Sequence, residues 1–196
     1  MSLPPTESKP RASRWPLVWI AVAAFAPFVL AYLTFYFWAP EVRMNYGELI
    51  EPARPLPDAA LALADGQPFR LSTLRGKWTL MLTNPGACAE LCQRGLYHMR
   101  QVRRAQGKNM DRIERVWLIT DDAPLDPALS RAFEGTYFVR AAGSEVLREP
   151  ALAGDPPGHL YLVDPLGNLM LRFPRDADPS RILRDIVRLL KVSRIG

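Results

Sequence analysis

The stretch Thr83–Met99, TNPGACAELCQRGLYHM, carries both cysteines of this 196-residue chain, Cys88 and Cys92. Before it lies a hydrophobic run, Trp78 to Leu82. After Cys88, the apolar positions Leu91, Leu96, Met99 and Val102 recur. The run reads as a buried strand, and the recurrence as one side of a helix reaching about Gln106. The residues Asn84, Pro85, Gly86 and Ala87 break the strand just ahead of Cys88. Cys88 is therefore expected at a strand-to-helix junction, where backbone N–H groups and the helix dipole favour a thiolate. On this stretch alone three readings are open: a disulfide switch, half of a metal site, or two small buried hydrophobes.

The elements continue to alternate on either side. Upstream, Asp65-Gly66 marks a turn, Phe69 to Leu71 a short strand, and Arg75-Gly76 a second turn. Downstream, Arg115 to Thr120 (RVWLIT) reads as a second buried strand, ended by Asp121 and Asp122 in what looks like a solvated turn. A short helix follows, with Asp126 as N-cap, Pro127 in the first helical position and Gly135 as C-cap, and then a strand from Tyr137 to Arg140. His159 to Val163 (HLYLV), the turn DPLGN and Leu169 to Phe173 (LMLRF) form a hairpin. Asp178 to Val192 closes the domain as an amphipathic helix. Ile182, Ile186, Leu189 and Leu190 would face inward, and Arg181, Arg184, Asp185 and Arg188 outward. This order predicts an α/β fold, a mixed sheet with helices on both faces.

The N-terminal region has a different character. From Trp15 to Pro40 no residue is charged, and as a helix Leu17 to Trp38 would cover about 33 Å, enough for a bilayer core. Trp15, Trp19, Tyr36 and Trp38 sit towards its ends, as interfacial rings do. The apolar core exceeds the ~7–15 residues of a signal peptide, and no small-x-small site follows, so an uncleaved single-pass anchor is expected. Lys9, Arg11 and Arg14 precede the span and only Glu41 and Arg43 closely follow it. That asymmetry keeps the tail in the cytoplasm and exports the rest, to the periplasm in a bacterium. The expected organisation is a cytoplasmic tail 1–14, an anchor 15–38, a proline-rich linker 39–58 containing EPARPLPD, and one domain 59–196. The net charge is +5, and Arg94, Arg100, Arg103, Arg104, Lys108, Arg112 and Arg115 crowd one segment. For an exported, tethered domain a solvated helix face is the expected reading, with anionic lipid or an acidic partner as the alternative; nucleic acid is not an expected partner.

Taken together, the single span, DGQPFRLSTLRGKWTLML (65–82), the C-x-x-x-C pair on a loop entering a helix, and YLVDPLGNLMLRF (161–173) resemble the thioredoxin superfamily. More specifically they are similar to the membrane-anchored Sco/SenC group of cytochrome c oxidase assembly proteins. The resemblance covers about Leu63 to Leu190 and the anchor. It implies a thioredoxin-like fold, Cu(I) as the bound metal, and a client protein such as a cytochrome c oxidase subunit. It implies Cys88 and Cys92 as redox residues and as two metal ligands. The third ligand in that group is a histidine ahead of the hairpin. Its position falls here on Pro156, and His159 is the residue nearby that could serve. Thioredoxin folds also resemble one another in a cis-proline beside the redox cysteine, which would be Pro156 or Pro157 here.

Several chemistries fit these residues. Cu(I) is soft and prefers thiolates, so two cysteines and one imidazole make a plausible low-coordinate site. If the chain is an enzyme, it is a thiol–disulfide oxidoreductase acting through Cys88 and Cys92. The third reading is a non-catalytic assembly module in which the pair forms an inert bridge. A five-residue loop constrains the unfolded chain very little, which weakens a purely structural role. His98 falls away from the thiols around the helix and reads as a surface residue.

Overall fold

The computed structural model describes residues 14–37, 45–193 and 195. The expectations for the tail, and those resting on Trp38, Glu41 and Arg43, lie outside the described residues. The chain divides into two units, 1–43 and 44–196. In the first, helix α1 spans Trp15–Phe37, is uncharged, and contains Pro27. It is long and apolar enough to cross a membrane. It is exposed along its whole length rather than shielding a core, as a helix made for a non-aqueous surrounding would be. The hydroxyl of its one threonine is satisfied within the helix, Thr34 Oγ1 donating to Leu30 O at 2.6 Å.

The second unit is built from β1 (Glu48–Pro55), β2 (Leu61–Leu63), β3 (Pro68–Phe69), β4 (Trp78–Asn84), α2 (Glu90–Ala105), β5 (Ile113–Ile119), α3 (Pro127–Ala132), β6 (Tyr137–Arg140), α4 (Pro150–Ala153), β7 (Leu160–Val163), β8 (Asn168–Phe173) and α5 (Pro179–Val192). One mixed sheet runs β1-β8-β7-β4-β5-β6-β2-β3. Strands β4, β5 and β6 are parallel, whereas β7 runs antiparallel to β4 and pairs with β8 as the expected hairpin. The two central strands are buried along their full length, which is why Leu80 to Leu82 and Val116 to Ile119 read as apolar runs rather than alternating ones.

Alternate residues serve two cores. Leu80, Leu82, Trp117 and Ile119 meet Leu96, Met99 and Val102 of α2 and Ile182 and Ile186 of α5. Met81, Val116 and Leu118 point the other way, towards Leu74, Val146 and Leu152, which sit in short helical turns. Helices thus cover both faces, the two long ones on one side. Gly95 allows α2 to lie close on the sheet, since a Cβ there would stand 3.2 Å from Leu82 Cδ1.

Three expectations are corrected. The linker expected over 39–58 contains a strand: β1 pairs antiparallel with β8, Glu48 opposite Arg172 and Pro55 opposite Asn168. Prolines exclude a segment from a central strand but not from an edge, and β1 is the edge. Leu71, expected at the end of a strand, begins a 3-10 turn, Leu71–Leu74. Asp185, expected on the outer face of the last helix, is 3% exposed. Its Oδ2 accepts from Tyr46 N at 2.8 Å and Gly47 N at 2.9 Å, so the helix anchors the start of the unit's chain through a buried carboxylate.

Candidate functional site

The site is assembled where β4 ends. Asn84 O accepts from Trp117 Nε1 at 3.2 Å and from Thr120 N at 3.1 Å, fixing the last strand residue against β5. The loop 85–89 then turns into α2. Gly86 N donates to Asp121 Oδ1 at 2.8 Å, and Cys88 N donates to Pro85 O at 3.2 Å. Gly86 is required by close approach: a Cβ would meet Ala123 O at 3.0 Å and Asp121 Oδ1 at 3.1 Å. Cys88 has φ +38°, and among the described residues it alone has a positive φ without being glycine. Such a backbone is disfavoured for residues with a Cβ and persists only where its surroundings hold it.

Cys92 lies on the first turn of α2, which begins after Ala89 with no side chain capping it. The two cysteines are joined in a disulfide, with Cα atoms 5.0 Å apart. Both are buried, Cys88 at 2% and Cys92 at 1% exposure. Gln93 closes over the loop, its Nε2 donating to Cys88 O at 3.1 Å. The junction position expected from the sequence is therefore where the pair sits. The free N–H groups and positive end of α2 lie beside the sulfurs, which favours whichever of them carries charge after reduction.

His159 is half-buried just ahead of β7. Its Nδ1 lies 2.8 Å from Phe173 O. A carbonyl can only accept, so Nδ1 carries the proton, and in the neutral ring Nε2 holds the free lone pair. Among the described residues no three His, Cys, Asp or Glu side chains come together in a way that could hold a metal ion. The fold thus brings Cys88 and Cys92 together but does not add His159 to them as a third ligand. Joined as a disulfide, the sulfurs also offer no thiolate, so this geometry does not fit a Cu(I) site.

The loop before β7 is ordered by a different device. Asp155-Pro156 and Pro156-Pro157 are trans, since the one cis bond among the described residues is Glu51-Pro52, so the expected cis-proline is absent. Instead Gly158, at φ +101°, turns the chain and donates from its N–H to Thr83 O at 3.0 Å. A Cβ on Gly158 would stand 2.8 Å from Leu91 Cδ2, on the same turn as Cys92. Buried Tyr161 donates its hydroxyl to Asp155 Oδ2 at 2.6 Å, and burial, then that bond, pushes its pKa up. Arg172 bridges Asp155 and Glu48, tying this loop to the edge strand.

Asp121, expected in a solvated turn, instead holds the cysteine loop through its carboxylate. The available signal was its place at the C-terminal edge of a parallel strand, where open sheets gather their sites. His98 is half-buried rather than a free surface residue, and burial lowers its pKa.

The family described as transmembrane-like, thioredoxin-like, C-terminal domain matches residues 78–193, more than half of the chain. The chain belongs to that family. Within this transmembrane-like, thioredoxin-like member, the match begins at β4 and runs through the cysteine pair to the end of α5. A search of the curated proteins gives no match. Among solved structures, yeast Sco1 with copper bound is similar with a TM-score of 0.58 and 17% identity, over 72% of this chain and 93% of that one. The apo Sco1 protein of Thermus thermophilus is similar with a TM-score of 0.58 and 20% identity, over 76% and 99%. BsSco, described by a disulfide switch and as a member of the Sco family of cytochrome c oxidase assembly proteins, gives 0.55 and 17% over 72% and 96%. At these identities the likeness is one of fold: the transmembrane-like, thioredoxin-like chain has the fold of Sco proteins.

Proposed function

We propose that this chain is a membrane-anchored, Sco-like thiol–disulfide protein, with residues 1–14 in the cytoplasm, 15–38 spanning the bacterial inner membrane and the thioredoxin-like unit, β1 included, in the periplasm. It assists cytochrome c oxidase assembly by exchanging the Cys88–Cys92 disulfide with the cysteines of a client subunit. The observation that carries this reading is the disulfide at the start of α2, on a loop whose cysteine is held at φ +38°.

In the exchange, a client thiolate attacks Cys88 Sγ. The Cys88–Cys92 bond breaks, and its electron pair leaves with Cys92 Sγ beside the N-terminus of α2, which stabilises the leaving thiolate. Cys88 is the target because it rides on the loop, whereas Cys92 is fixed within the helix. A second client thiolate then displaces Cys88. The client gains a disulfide, and two electrons reduce the pair, both sulfurs taking up protons. The reverse sequence reduces a client. Burial of both sulfurs means that the loop 85–89 opens before attack.

Copper handling by the reduced pair is the second reading, supported by the copper-bound form of a protein with this fold. It needs free thiolates and a movement of the His159 ring. Two measurements on the full chain in detergent separate the readings. Oxidised protein mixed with a reduced two-cysteine peptide should gain thiols as the peptide loses them, and Cys88→Ser or Cys92→Ser should abolish this. Reduced protein titrated with Cu(I) against a chelator should release the metal; retention lost in Cys88→Ala and weakened in His159→Ala would favour copper handling. Failure of both reactions leaves the pair an inert bridge.

A further inference from the structure

The arginine-rich segment does not form a simple solvated face. Arg115, on β5, is 3% exposed. Its Nη2 donates to Glu134 O at 2.7 Å, while Nε and Nη1 are buried with no hydrogen-bond partner. It lines a cavity of about 370 Å³ together with Arg100, Arg103, Arg104, Arg131 and Glu134. Five arginines and one acidic residue, Glu134, thus line the space.

The walls are held in place. Arg100 donates from Nη1 to Ala132 O at 2.8 Å and lies 5.6 Å from the Tyr97 and Phe133 ring centroids, while its Nε is buried and unpartnered. Arg103 Nε donates to Ile113 O at 2.7 Å, and its Nη2 stands 3.7 Å from Asp111. Gly135, at φ +74°, brings the backbone close to Arg115: a Cβ there would lie 3.1 Å from Nη2. Arg104 and Arg131 stand exposed at the rim. A buried guanidinium without an anion is costly, and like charges crowded around it raise that cost. Burial, then Arg103, Arg100 and Arg104, push the Arg115 pKa down to about 10.

We infer that this pocket binds a phosphate group, as the free anion, on a soluble small molecule or on a lipid headgroup. A phosphate monoester carries about −1.5 to −2 charges and three acceptor oxygens, against one charge for a carboxylate, and guanidinium forks match its oxygens in pairs. The site is remote from the cysteines: they lie at the C-terminal end of β4, whereas Arg115 is near the start of β5 and Arg100, Arg103 and Arg104 lie in the second half of α2. The inference therefore stands apart from the thiol chemistry proposed above.

The test is arginine footprinting of the full-length protein with phenylglyoxal. In neutral detergent, inorganic pyrophosphate should slow labelling of Arg104 and Arg131 about fivefold or more while leaving Arg54, on β1, unchanged. In nanodiscs without added anion, phosphatidic acid, whose headgroup is a phosphate monoester, protecting the same residues where phosphatidylcholine does not assigns a lipid source. Protection by pyrophosphate alone assigns a soluble one, and both support the inference. The exposed-site variant Arg104→Gln/Arg131→Gln should weaken pyrophosphate protection of Arg100 about tenfold. Without ligand its melting temperature should equal or exceed that of the wild type, because repulsion is relieved. Labelling indifferent to pyrophosphate and to lipid, or undiminished protection in the variant, overturns the inference.

Discussion

Asp121, at the end of β5, holds Gly86 of the cysteine loop through a 2.8 Å hydrogen bond from Gly86 N to Oδ1. The same oxygen accepts from Ala123 N at 3.3 Å, so one carboxylate joins two loops that leave neighbouring parallel strands. This bond tethers the loop that carries Cys88. Replacing Asp121 by alanine leaves Gly86 N without its acceptor, and should destabilise the domain by about 1–3 kcal/mol. If loop opening gates the sulfurs, dithiothreitol will reduce Asp121→Ala faster than wild type. Asp121→Asn, which retains an acceptor oxygen, should stay near the wild-type rate. Stopped-flow thiol counting under native conditions reads both.

Gly158 is the second control point, on the opposite side of the pair. At φ +101°, with Leu91 Cδ2 2.8 Å from where a Cβ would sit, Gly158→Ala introduces backbone strain and displaces Leu91. The backbone component alone should cost about 1–3 kcal/mol, measured by urea unfolding of the full chain. Leu91 shares the first turn of α2 with Cys92, so the rate of disulfide reduction should change along with stability. Leu91→Ala in the same background should recover little of the lost stability, because the strained φ remains.

The pH dependence has a defined sign. Burial, the largest cause, lowers the pKa of His98 below its ordinary value of 6.5, although Asp176 opposes this. Between the folded and unfolded pKa values, the unfolded chain therefore binds more protons than the folded one, so stability rises with pH through that window. Acidification from neutrality begins to remove the contribution near 6.5 and removes it fully only below the lowered folded pKa. In His98→Gln this component of the pH dependence should vanish, as melting temperatures at successive pH values between about 5 and 7.5 will show.

The alternating run of strands and helices was legible because β4 and β5 are buried on both faces and α2 and α5 keep helical apolar spacing. The Asp126 cap and Pro127 fixed α3 in the same way, Asp126 Oδ1 accepting from Ala128 N at 2.8 Å. What stayed hidden depends on partners distant in sequence. β1 looked like a stiff connector because its pairing with β8 spans more than a hundred residues and leaves no local pattern. Asp185 sat among arginines and looked solvent-facing, because its two backbone partners, Tyr46 and Gly47, lie at the other end of the domain. At the site, cysteine spacing predicted proximity of the two sulfurs. It said nothing of the direction in which His159 would turn, which Phe173 O sets from the neighbouring strand. Arg115 was grouped with helix-face arginines, although it stands on a strand whose alternation directs it under α2.

The reduction potential of the Cys88–Cys92 pair tests the central claim most directly. The full chain is equilibrated in graded thiol–disulfide buffers, and its free thiols are counted by mass after alkylation. A pair that exchanges with clients, with its leaving thiolate stabilised at the start of α2, should have a potential above about −300 mV and fall within reach of a biological thiol pool. A potential well below about −300 mV would identify a structural bridge and contradict the account.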